Sequence, residues 1–227
     1  MRAGCPLTFV NSSVTVEAAT KLRGDSMKLL FVNACIRERS RTLELARHLL
    51  QLLSATLAGG GDVADSSQLV VEKLELAQLP LCGHSRESLV ERDRLLQNKE
   101  FHHQMFDYAR QFAAADMIVV AAPYWDLSFP ALLKTYIETI CVSGITFDYE
   151  GAAPVGMCRA KKLYYVTTAG GPIFCDYGYS YIDALCKSFF GINETCCIRA
   201  ERLDMVGPQQ VAKELQRVKE KMNREIW

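Results

Sequence analysis

A chain of 227 residues that is 49% hydrophobic and 23% charged can bury a sizeable core, and one globular domain is the default expectation. Its 26 basic and 26 acidic residues give a formal net charge of zero, so no general field gathers nucleic acid or an anionic membrane. No apolar stretch approaches the roughly 20 residues that cross a bilayer, and nine cysteines without a C-x-x-C pair suggest reduced thiols in a cytoplasmic protein rather than a disulfide framework or a metal site.

Residues 1–26 show no periodicity, and their apolar stretch is too short for a signal peptide. They are expected to form a disordered or weakly docked extension, and Met27 is a candidate translation start directly before the first convincing strand. From there, short β-rich runs alternate with helical runs. Strands are expected at 28–33, 69–74, 116–122, 162–168 and 195–204, and helices at 40–57, 87–97, 102–114, 130–142, 177–190 and 208–223. A glycine-rich surface loop is expected at 59–67, and an irregular or hairpin insertion at 145–159. This alternation predicts an α/β fold, a flavodoxin-like five-stranded parallel sheet with helices on both faces.

In open parallel sheets, ligands bind outside the carboxyl ends of the strands where the strand order reverses. Three segments are expected there. After the first strand, "NACIRERSRT" offers Ser40 as a helix cap and Thr42 in the first turn, and helix N-H groups and the dipole favour an anion. Its arginines can present a planar fork to phosphate, or they can be ordinary surface charge. After the third strand, Pro123, Tyr124 and Trp125 of "APYWDLSFP" could face a flat heterocycle, or could form a hydrophobic lid with Pro130 opening the next helix. After the fourth, the Gly170-Gly171 pair in "TTAGGP" allows close backbone approach to a ligand, or makes a plain turn.

From Met27 to about Pro208 the chain resembles the FMN-dependent NADH azoreductases and related flavodoxin-like NAD(P)H-quinone oxidoreductases. The likeness rests on the serine-bearing first loop, "APYWDLSFPALLKTYIETICVSGITFDYEGAAPVG", "KKLYYVTTAGG" and "FFGINETCCIRAERLD". It implies an FMN-binding domain over 27–227, NADH or NADPH as electron donor, and a small flat acceptor such as a quinone or azo compound reduced in alternating half-reactions. It also implies a homodimer with the site at the subunit interface, while charge and composition leave neither nucleic acid nor membrane as an expected partner. Carried over by position, the FMN phosphate falls to Ser40, Arg41 and Thr42, with Asn33 and Arg39 as neighbours. The flavin ring falls to Pro123, Tyr124, Trp125 and Asp126 and to Thr168, Ala169, Gly170 and Gly171. Tyr149 and Phe189 become acceptor-site walls; no catalytic side chain and no metal is implied. Asp126 stands where an asparagine is common, and an anion there would disfavour a negatively charged reduced flavin. The first loop also carries more charge than the compact serine loops of the resembled enzymes.

Two other readings compete. Cys35, Arg41 and Thr42 satisfy the C-x5-R-[ST] spacing of low-molecular-weight tyrosine phosphatases, in which a thiolate attacks phosphate. The bulky Ile36–Ser40 segment lacks a glycine and places Glu38 inside the loop, which opposes that use. The remaining alternative is a non-catalytic flavodoxin-like carrier or binding module.

Overall fold

The computed structural model describes residues 26–59 and 69–225, so the expected extension and glycine-rich loop fall almost wholly outside the described residues. The strands are β1 (Lys28–Asn33), β2 (Val70–Glu75), β3 (Met117–Ala121), β4 (Phe147–Glu150), β5 (Ala153–Gly156), β6 (Lys162–Thr168) and β7 (Glu194–Ala200). Five of them form one parallel sheet in the order β2-β1-β3-β6-β7. The chain runs outward from β1 to β2 and then crosses back to β3, so the order reverses between β1 and β3. Their carboxyl ends, Asn33 and Ala121, lie side by side in register.

The helices are α1 (Arg41–Gly59), α2 (Arg86–Gln97), α3 (Asp107–Ala114), α4 (Ala131–Ile140), α5 (Tyr179–Leu185) and α6 (Pro208–Glu225). Successive side chains of a strand point to opposite faces, and both faces of this sheet are covered, which is why β1 reads as a continuous apolar run. Leu29 and Phe31 join Val119, Tyr164 and Val166 under α1 and α6, where Leu45, Leu49, Leu215 and Met222 complete one core. Leu30 and Val32 join Ile118, Val120 and Leu163 on the other face, against Phe112 of α3, Tyr136 of α4 and Ile182 of α5. The edge strand β2 carries Glu72 and Lys73 and is less buried, as suits an edge that must not recruit another strand.

Three elements depart from the sequence reading. The helix expected from residue 102 begins at Asp107: His103 instead caps a 3-10 turn, its Nδ1 accepting from Met105 N at 3.2 Å. The helix expected to run to 190 stops being α-helical at Leu185, and Cys186–Phe190 form a π turn that ends at Gly191 with φ +73°. That turn abuts the β4–β5 hairpin, where Cys158 N donates to Phe190 O at 3.2 Å. The last strand, expected to reach 204, ends at Ala200, and Arg202 takes the left-handed region at φ +62°. The segment that follows thereby becomes part of the site.

Candidate functional site

The carboxyl ends of β1, β3, β6 and β7 converge on a cleft of about 230 Å³. Its first wall is the β1–α1 loop. Asn33 is buried at the strand end, where its Oδ1 accepts from Cys35 N at 3.0 Å and its Nδ2 donates to Glu75 Oε2 at 2.5 Å. Ala34 N donates to Ala121 O at 2.8 Å, tying the loop to the neighbouring strand end. Ser40 caps α1, its Oγ accepting from Leu43 N at 3.2 Å. The N-H groups of the first turn that lack intrahelical partners then face an anion-compatible end of the cleft.

The second wall follows β3. Tyr124 N donates to Thr168 O at 3.0 Å, and Tyr124 OH donates to Cys175 O at 2.7 Å. Trp125 and Ser128 exchange backbone hydrogen bonds of 3.1 and 2.8 Å around a tight turn. Its two central residues, Asp126 and Leu127, have φ of +49° and +66°. The Arg37 guanidinium lies 5.6 Å from the Trp125 ring centroid, so a cation–π contact joins the first wall to the second.

The third wall is the end of β6 and the loop after it. Thr168 Oγ1 shares a 2.6 Å hydrogen bond with Oγ1 of the fully buried Thr42, a bond that links α1 to β6. Ala169 N donates to Ala200 O at 2.9 Å, and Leu203 N and Asp204 N donate back to Ala169 O and Gly170 O at 3.2 and 2.9 Å. This ladder brings Asp204 against Arg41, whose Nη2 lies 2.5 Å from Asp204 Oδ1. Arg37, Arg39 and Arg41 against the single carboxylate of Asp204 make the lining cationic within a chain of zero net charge.

Of the residues expected to hold a cofactor, Arg39, Ser40, Arg41, Thr42, Pro123, Tyr124, Trp125, Thr168, Ala169 and Gly170 line this one cleft. Asn33 lies beneath it as a support, while Asp126 and Gly171 are not on its lining. Tyr149 and Phe189 are absent from the lining as well; they flank Phe147, with ring centroids 5.6 and 4.9 Å from it. Cys35, Ile36, Arg37 and Asp204 line the cleft without having been expected to bind a cofactor. Asp204 falls within the strand expected to run to 204, and no local pattern marks it as part of a site.

Cys35 does not meet the needs of a nucleophile. It is 8% exposed, its Sγ points towards Ala121 O at 3.8 Å, and burial pushes its thiol up to about 11. A phosphatase thiolate requires the opposite shift.

A family model described as a flavodoxin-like fold, Flavodoxin_2, matches residues 27–226. The chain belongs to this family. The Flavodoxin_2 chain is 44% identical over 111 residues to an FMN-dependent NADH:quinone oxidoreductase 2 of Clostridium acetobutylicum, a match covering 46% of this chain and 55% of that protein. It is 43% identical over 112 residues to an FMN-dependent NADH:quinone oxidoreductase of Caldicellulosiruptor saccharolyticus, covering 47% and 55%. The chain thus spans about half the length of the curated relatives it matches. In three dimensions it is similar to an FMN-dependent NADH-azoreductase from Bacillus anthracis solved in complex with FMN, at a TM-score of 0.69 and 19% identity over 87% of this chain and 98% of that one. That likeness establishes the shared fold.

Proposed function

We propose that the protein is an FMN-dependent NAD(P)H oxidoreductase of the quinone and azo reductase type. The observation that carries this reading is the meeting of an arginine-rich, serine-capped helix N-terminus with the Tyr124-Trp125 wall in one cleft. The residues present fit FMN. Ser40, Arg41, Thr42 and Arg39 would hold its phosphate, as charge-assisted and helix-terminal donors do. Pro123, Tyr124 and Trp125 on one side and Thr168, Ala169, Gly170 and Gly171 on the other would hold its ring and polar edge, with Asp126 at the tip of the adjoining turn. The cleft is smaller than the roughly 300–1,000 Å³ of an enclosing site, which suits a cofactor with one ring face left accessible.

When bound, FMN supplies two-electron hydride chemistry, taking electrons from NADH or NADPH and delivering them to a quinone, azo compound or similar flat acceptor. The chain's own part is placement. Asn33 fixes the first loop, the Tyr124–Thr168 and Ala169–Ala200 hydrogen bonds fix the other two, and the Arg37 cation–π contact with Trp125 joins the first wall to the second. The working unit is residues 27–227, with 1–26 as an extension, and its setting is cytoplasmic. Nine cysteines without a C-x-x-C pair support that setting.

The assembly is a homodimer. Phe174 and Tyr177 are 84% and 62% exposed on the segment that accepts hydrogen bonds from Tyr124 and Ser128 at the second wall. As acceptor-site walls, Tyr149 and Phe189 need a second copy of the chain to bring them to the cleft.

The test is an absorbance spectrum of the protein mixed with FMN and desalted, followed by NADH and NADPH without oxygen. A retained flavin band that bleaches is expected, and Ser40→Ala should weaken FMN binding by roughly fivefold, the scale of a lost helix cap. A colourless protein overturns the proposal.

A further inference from the structure

We propose that the Arg41–Asp204 ion pair makes the cleft prefer a flavin mononucleotide over a flavin dinucleotide. This rests on the cofactor reading above and names the residues that set its size limit. Arg39, Arg41 and Asp204 line the cleft and also line an open groove of about 800 Å³ that continues past Val206 and Val211 to Lys219. They form the rim that the two spaces share, a partition open to solvent on its outer side, since the Arg41 and Asp204 side chains are 38% and 67% exposed. Across that partition Arg41 Nη2 and Asp204 Oδ1 stand 2.5 Å apart.

The backbone sets the position of Asp204, with Leu203 N on Ala169 O at 3.2 Å and Asp204 N on Gly170 O at 2.9 Å. Its carboxylate leans on the third wall: a Cβ added at Gly170 would lie 2.1 Å from Oδ2. A phosphomonoester at the α1 terminus meets Arg41 from the cleft side and stops there. A dinucleotide must carry a second phosphate and an adenosine outward through the partition. There the ion pair blocks the path, and the Asp204 carboxylate opposes a second negative charge, a repulsive element of the kind that creates specificity. Beyond it the groove is large enough for an adenosine, with Val206 and Val211 as apolar wall; Lys219 is held by Glu44 at 2.7 Å.

The experiment is calorimetric titration of the full chain with riboflavin, FMN and FAD. Wild type should bind FMN more tightly than FAD. Asp204→Ala should narrow that ratio by roughly tenfold through tighter FAD binding, while riboflavin affinity stays within about twofold. Asp204→Asn keeps a side chain in the path without its charge, and should narrow the ratio less. Adding Ala212→Trp, on the exposed groove side of α6, to Asp204→Ala should restore the preference for FMN. An FMN-to-FAD ratio unchanged in Asp204→Ala, or FMN and FAD tightening equally, overturns the inference while leaving the cofactor reading standing. Failure of wild type to bind any of the three overturns the cofactor reading, and this inference with it.

Discussion

At Asn33 one buried side-chain amide serves two neighbours, accepting from the loop at Cys35 and donating to Glu75 on the adjacent strand. Asn33→Ala should cost about 1–3 kcal/mol, because it leaves the Cys35 N-H buried without that partner. Asn33→Asp should behave differently. It sets a carboxylate against Glu75, so its melting temperature should lie furthest below wild type at neutral pH and recover as the pH falls through the carboxylate range. A deficit independent of pH would refute the like-charge account. The contrast between Asn33 and Asp204 shows what is legible at this scale. A serine before a helix, arginines around it and aromatics after a strand carry local signals, and ten residues carried over from the family resemblance line the cleft. The Arg41–Asp204 pair joins positions 163 apart in sequence, and no local pattern announces it. The spacing of Cys35 and Arg41 was equally visible, but the burial that disarms Cys35 comes from packing against β3.

Among the elements, the Trp125–Ser128 turn places Leu127 in the left-handed region, which costs an L-residue roughly 1–2 kcal/mol. Leu127 is also 47% exposed, so little burial offsets that cost. Leu127→Gly should therefore raise the melting temperature, and a lowered one would mean that the leucine's contacts outweigh the strain. The β4–β5 hairpin makes the reverse case. A Cβ at Gly156 would stand 2.0 Å from Gly191 N and 2.2 Å from Phe190 C, both backbone atoms that have no rotamer to give. Gly156→Ala should lower the melting temperature sharply or yield insoluble protein; a wild-type melt would exclude the close approach. This contact also explains a misread element. Periodicity foretold a helix through Phe190, and the apolar spacing supports one, but the hairpin docks on its last turn and engages Phe190 O. The strands themselves were legible to within about two residues, except where Arg202 turned the chain out of the last one.

For the molecule as a whole, burial in the two cores determines its response to alkali. Burial pushes Cys35 and Cys141 up to about 11, and Cys158, Cys186 and Cys197 up to about 12, from an ordinary value of 9.0. Between about pH 9 and 12 the unfolded chain gives up protons that the folded chain keeps, so stability is full below that window and falls as pH rises through it. Thermal melts should show a midpoint that is steady near pH 8 and declines above about pH 9; a midpoint constant to about pH 11 would contradict the burial of these thiols. The five-stranded parallel sheet was readable because alternating strands and helices leave few ways to build an α/β domain. The joining of its loops was not, since Tyr124 to Thr168 and Ala169 to Ala200 are backbone bonds indifferent to side-chain identity. That indifference has an evolutionary consequence. A cleft whose frame is stitched by main-chain atoms can exchange its rim side chains without losing its shape, so recognition and folding become separately heritable traits, and one scaffold can drift between ligands while remaining foldable at each step.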